Sequence, residues 1–113
     1  MRKNKIDKIG TLPRKLMKKG LNERLLKLCE DNDISFMAIF GSFVRGEEKR
    51  TSDIDTAIEF ADKSHKSLFD LVHVENELKK IFGRKVDLGI LSAINPLIIE
   101  DVKKQMIVIY EKR

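Results

Sequence analysis

A short, nearly apolar stretch, Ile34 to Phe40, runs straight into a Gly41-Ser42 pair, and ten residues later Asp53-Ile54-Asp55 opens a second run, Ile54 to Phe60. No other feature of the chain restricts the fold as much. The first stretch suits a central strand buried on both faces. The second alternates: Ile54, Thr56, Ile58 and Phe60 fall on one face, and Asp53, Asp55, Ala57 and Glu59 on the other. Two acids at i and i+2 of a strand point the same way. Like charges so placed repel, and the arrangement is costly unless a cation sits between them. The Gly-Ser turn, opening a short helix from Ser42 to about residue 47, offers backbone N–H groups that suit a phosphate.

The rest of the chain supplies a frame for this pair of segments. Leu21, Leu25, Leu28 and Cys29 fall at helical spacing, so a helix is expected over about 21–31, ended by Asp31-Asn32-Asp33. Leu68, Leu71, Val72, Leu78, Ile81 and Phe82 predict a helix over about 65–82 that Gly83 stops. Residues 85–91 alternate again, with Val86, Leu88 and Ile90 opposite Lys85, Asp87 and Gly89. Asn95-Pro96 reads as an N-cap followed by proline at the first helical position, opening a helix to about 105. Met106 to Tyr110 reads as a last short strand, and residues 1 to about 12 as lacking regular structure, with Pro13 opening a short helix that ends near Gly20. The order predicts an α/β or α+β sandwich, with a mixed sheet covered by helices on one face.

Composition narrows the classes. The chain has 113 residues, room for one domain and one modest core. No apolar run approaches the roughly 20 residues that span a bilayer, and no signal peptide is visible. The single cysteine, Cys29, excludes an intrachain disulfide and fits a cytoplasmic location. With His65 and His73 it makes no zinc site. The net charge of +5 is uneven: residues 1–20 carry +7 and the remainder −2. The division expected is therefore a basic extension over 1–20 and one domain over 21–113. Such an arm can hold nucleic acid or an acidic partner by non-specific electrostatics. The plainer reading, a solvated or partly helical arm, is preferred.

Asp87 sits mid-strand between Val86 and Leu88, where β propensity disfavours aspartate. If the two alternating strands are neighbours, Asp53, Asp55 and Asp87 converge on the uncovered sheet face. Three carboxylates there would bind two Mg²⁺ ions, orienting a triphosphate and activating an attacking hydroxyl. Taken singly, each residue has an ordinary reading: Asp53 a strand cap, Asp55 an exposed strand residue, Asp87 a partner of Lys85 or Arg84, Gly-Ser a common turn. The combination does not.

The pattern Gly41-Ser42, ten residues, Asp53-Ile54-Asp55 resembles the nucleotidyltransferases of the DNA polymerase β superfamily, and the motif Gly41-Ser42-Phe43-Val44-Arg45-Gly46-Glu47 is most similar to the minimal nucleotidyltransferases. The resemblance runs from about residue 20 to the C-terminus. It implies the nucleotidyltransferase fold, an NTP substrate with Mg²⁺, Gly41 and Ser42 at the triphosphate, Asp53 and Asp55 as the metal pair and Asp87 as the third carboxylate. Thr56, where the family usually has an apolar residue, is a minor departure. Arg45, and less so Lys49 and Arg50, are candidates to reach the triphosphate.

Members of this family are often encoded beside a small helical HEPN protein, act as its antitoxin and transfer AMP to a tyrosine of the HEPN toxin. The expectation is thus an Mg²⁺-dependent enzyme moving AMP, or another nucleoside monophosphate, from ATP or another NTP to a hydroxyl of a HEPN-type partner. Two alternatives stand beside it. One is an antitoxin that masks its partner without catalysis. The other is a transferase acting on a small molecule or nucleic acid, which the size of the chain disfavours because a lone domain supplies half a cleft.

Overall fold

The computed structural model of the chain describes residues 6–8, 20–40, 53–62 and 65–112. They form β1 (Ile6–Lys8), α1 (Leu21–Asp31), β2 (Ile34–Phe40), β3 (Ile54–Phe60), α2 (Leu68–Phe82), β4 (Val86–Ile90), α3 (Ile99–Lys104) and β5 (Ile107–Lys112), with a single 3-10 turn at Leu91–Ala93. The strands make one sheet in the order β1-β5-β2-β3-β4. All neighbours pair antiparallel except β3 and β4, which run parallel. Parallel neighbours need a crossover, and α2 supplies it. The short helix expected from Ser42 to about 47 and the helix expected after Pro13 lie outside the described residues.

Helix α1 forms where Leu21, Leu25, Leu28 and Cys29 make one buried stripe. It stops at Asn32, whose side-chain Nδ2 donates to the Leu28 carbonyl at 2.9 Å. Asp33 then takes a positive φ of 57°, a conformation that aspartate tolerates better than most residues, and turns the chain into β2. Helix α2 starts at Ser67, whose backbone N–H donates to the Asp70 carboxylate at 2.8 Å in a capping box. That hydrogen bond, chiefly, holds the Asp70 carboxyl below its usual range. Gly83 closes the helix at φ 68°, where a residue without Cβ is unstrained.

The core is the layer between α1 and α2 and one sheet face. Leu25, Leu28 and Cys29 of α1 and Val74, Leu78 and Ile81 of α2 meet Ile34, Met37 and Ile39 of β2, Ile54 and Ile58 of β3 and Val86 and Leu88 of β4. Each such side chain contributes about 1.5–3 kcal/mol on burial. Thr56, on this face of β3, is buried at 1% exposure and sends its hydroxyl to the Ile54 carbonyl at 3.5 Å, so a polar residue is accommodated in an apolar layer. Burial of Cys29 pushes its thiol up to about 12, and the buried Tyr110 phenol rises likewise to about 12.

Two expectations are corrected. Residues 6–8, expected to lack regular structure, form an edge strand on β5, with Ile6 opposite Lys112 and Lys8 opposite Glu111. An edge can take a short strand with little sequence signal, because backbone hydrogen bonds alone define it. The Asn95-Pro96 start also differs. Asn95 Oδ1 accepts the Leu97 N–H at 2.8 Å as a cap would, yet its carbonyl takes Ile98 N–H in a tight i→i+3 turn, and the α-helix begins only at Ile99. The helix buries no residue, so nothing holds its first turn to α geometry.

Candidate active site

The register of β3 and β4 decides how the acidic residues meet. Asp55 pairs with Asp87, with Ile54 opposite Val86 and Thr56 opposite Leu88 on the rungs either side. Since Ile54, Thr56, Val86 and Leu88 all enter the core, Asp55 and Asp87 both belong to the face that α1 and α2 leave open. Asp53, two residues before Asp55 and exposed, shares that face at the mouth of β3. Asp55 is half-buried and Asp87 exposed, as expected for a strand inside the sheet against an edge strand. The edge is secured by Glu75 of α2, whose Oε1 accepts the Leu88 N–H at 3.3 Å.

On the other side of β3, Phe40 is the rung partner of Asp55. The chain thus leaves β2 beside the Asp53–Asp55 pair. Gly41, Ser42 and Arg45, the candidate phosphate-binding residues, follow directly but lie outside the described residues, as do Lys49 and Arg50. The next rung of the open face is Ala38–Ala57–Gly89, with no side chain larger than a methyl group. A Cβ added at Gly89 would meet nothing within 4 Å, so this glycine fills no packing need. Beyond it lies Glu59, half-buried, with Oε2 accepting the Ser92 N–H.

The face therefore carries paired carboxylates at one end of β3 and β4, next to a rung of small residues of which Ala38 and Ala57 are buried and Gly89 is exposed. Among the described residues no three His, Cys, Asp or Glu side chains are gathered around a common point in metal-binding geometry. The backbone brings the three aspartates side by side, while the side chains themselves are not drawn together. Their chemistry, hard carboxylate oxygens on neighbouring positions, fits Mg²⁺ better than a softer metal.

A second, basic cluster adjoins these acids, of which the sequence offers only Lys85 or Arg84 as an ion-pair partner of Asp87. Lys85 lies on the same face as Asp87, and its carbonyl accepts the Ile54 N–H at 2.9 Å, which sets it across from Asp53. Arg84 and Lys79 stand beside it. The signal was present in the alternation of Lys85, Asp87 and Gly89, but the spatial neighbourhood of Lys79 depends on where α2 ends. Among the described residues no helix is long and apolar enough to cross a membrane.

Known proteins share this architecture. A Methanocaldococcus jannaschii protein, provisionally named a protein adenylyltransferase, is 36% identical over 69% of this chain and 82% of its own length. The protein adenylyltransferase MntA of Thermococcus cleftensis is 31% identical over 80% of this chain and 82% of its own. A solved toxin–antitoxin structure with AMP-PNP superimposes with a TM-score of 0.65 at 24% identity, covering 81% of this chain and 74% of that one, and so shares the fold. From within α1 to its last residue, over positions 23–113, the chain matches the Polymerase beta nucleotidyltransferase family, and it belongs to that family.

Proposed function

We propose that this nucleotidyltransferase transfers AMP from ATP to a hydroxyl of a partner protein, the HEPN-type toxin implied by the sequence resemblance, and so acts as its antitoxin. The observation that carries the reading is the pairing of Asp55 with Asp87 beside the strand end from which Gly41-Ser42 departs. The protein adenylyltransferase names of its relatives support the acceptor class. The buried free thiol of Cys29 is in keeping with a reducing cytoplasm.

In this reading Gly41 and Ser42 hold the β- and γ-phosphates through backbone N–H groups and the serine hydroxyl, with Arg45 adding a charge-assisted bond. Asp53, Asp55 and Asp87 are the residues that would hold Mg²⁺, which when bound supplies positive charge for the triphosphate. The acceptor hydroxyl oxygen attacks the α-phosphorus of ATP. A new P–O bond forms, the bond to the bridging α–β oxygen breaks, and pyrophosphate leaves with the electron pair. Asp87, exposed on the edge strand, takes the hydroxyl proton. The partner's contribution is position: holding a nucleophile in line is worth about 7–11 kcal/mol.

The test is intact-mass analysis of the neighbouring helical protein after incubation with this chain, ATP and Mg²⁺. One or more added AMP masses are expected, lost with Asp87→Asn. A neighbour that binds tightly and never gains mass leaves the masking antitoxin in its place.

A further inference from the structure

Among the described residues β4 is the last strand of the sheet, and β3 alone pairs with it. The Lys85 carbonyl accepts the Ile54 N–H at 2.9 Å and therefore points at β3. Two residues on, the Asp87 carbonyl points the same way. The Leu88 N–H, at the other end of that planar peptide unit, points off the sheet. There it meets α2, where Glu75 Oε1 accepts it at 3.3 Å. The second oxygen of the same carboxylate, Oε2, lies 3.6 Å from Lys79 Nζ, one turn along the helix. The ion pair and the strand thus take one oxygen each.

By the same alternation Val86, Leu88 and Ile90 all turn their N–H groups away from β3. A bond to any of the three would secure the edge. Glu75 reaches the one whose peptide unit begins at Asp87. A general base works within about 2.6–3.2 Å of the proton it takes, and a misplacement of about 1 Å costs about 100-fold in rate. A strand paired on one side only has more room to shift than a strand between two neighbours. We infer that Glu75 is a positioning residue for transfer: by holding the Asp87–Leu88 peptide unit from the helix side, it fixes the Asp87 carboxylate for the acceptor hydroxyl. The inference rests on the nucleotidyl-transfer reading above, in which Asp87 takes the proton.

The experiment compares Glu75→Ala, Glu75→Gln, Asp87→Asn and the double variant Glu75→Ala, Asp87→Asn in the full chain. Amide hydrogen exchange is followed by NMR. Initial rates of transfer to the neighbouring helical protein, with ATP and Mg²⁺, are followed by intact mass. Glu75→Ala should speed exchange at Leu88 at least about tenfold and slow transfer about 10- to 100-fold. Glu75→Gln keeps an oxygen acceptor in the same place and should restore most of both. The double variant should be no slower than Asp87→Asn, because a carboxylate that is gone cannot be misplaced. Unchanged exchange at Leu88 or an unchanged rate in Glu75→Ala would overturn the inference. So would a Gln variant as slow as the Ala variant, or losses that add in the double variant. Protection lost throughout α2 and β4 would overturn it as well, since Glu75 would then hold the fold as a whole. Failure of the transfer reading shows separately, as a wild type that adds no mass to its partner while the exchange contrast at Leu88 holds.

Discussion

Asp55 of β3 and Asp87 of β4 are direct partners across a parallel strand pair, although 32 positions separate them in the chain. The pairing places two like charges on adjacent strands, which opposes folding unless something positive joins them. Asp87→Asn, on the exposed edge strand, should therefore raise the thermal midpoint without metal. In the presence of Mg²⁺ and ATP, Asp55→Asn and Asp87→Asn should each lower transfer to the partner by at least about 100-fold. Calorimetry and intact-mass analysis read the two effects. Wild-type transfer by both variants would refute the site.

Gly41→Val should weaken binding of Mg·AMP-PNP in isothermal calorimetry, because a branched side chain blocks close approach of phosphate to the backbone. An unchanged affinity would remove the phosphate turn from the proposal.

Gly89→Val should stabilise the protein by about 0.5–1 kcal/mol, since glycine is a poor strand residue and nothing lies near a Cβ at this position. The same change raises a side chain beside Asp87 on the open face, so transfer should fall. A denaturant midpoint that rises while transfer falls is the expected pair of results.

Cys29 should resist alkylation in the folded protein and react on unfolding, because burial keeps it a neutral thiol, with its pKa pushed up to about 12. A group whose pKa is raised on folding contributes stability that is whole below its unfolded pKa and is lost as pH rises toward the folded value. Urea midpoints should thus fall as pH rises from about 9 toward 12, with Tyr110 adding to the decline above the ordinary phenol value of 10.0. Cys29→Ala should flatten the first part of that decline.

Asp70→Asn removes the charged half of the capping box at Ser67. Folding lowers the Asp70 pKa, so its contribution is present above the carboxylate's ordinary value and fades as pH falls through the lower folded one. The variant should melt below wild type at neutral pH, and the gap should close on acidification. A gap independent of pH would mean that the carboxylate charge plays no part.

Local pattern determined much of this protein. Period-2 alternation put Ile54, Thr56 and Ile58 on one face and Asp53 and Asp55 on the other, and helical spacing found α1 and α2 almost to the residue, because these signals repeat within a few positions. The Gly83 stop was legible for the same reason: a left-handed helix end is a local demand on one residue. Strand order is a long-range choice. That β4 lies parallel beside β3, so that Asp87 reaches Asp55 and Lys85 reaches the level of Asp53, follows from the crossover through α2 and the packing of that helix against β4. The strand at Ile6–Lys8 was illegible because its partner, β5, lies about a hundred residues away and its pairing is made by backbone groups that every residue carries. The site's residue types were written in the chain, but their meeting on one open face was decided by which strands the core let lie side by side.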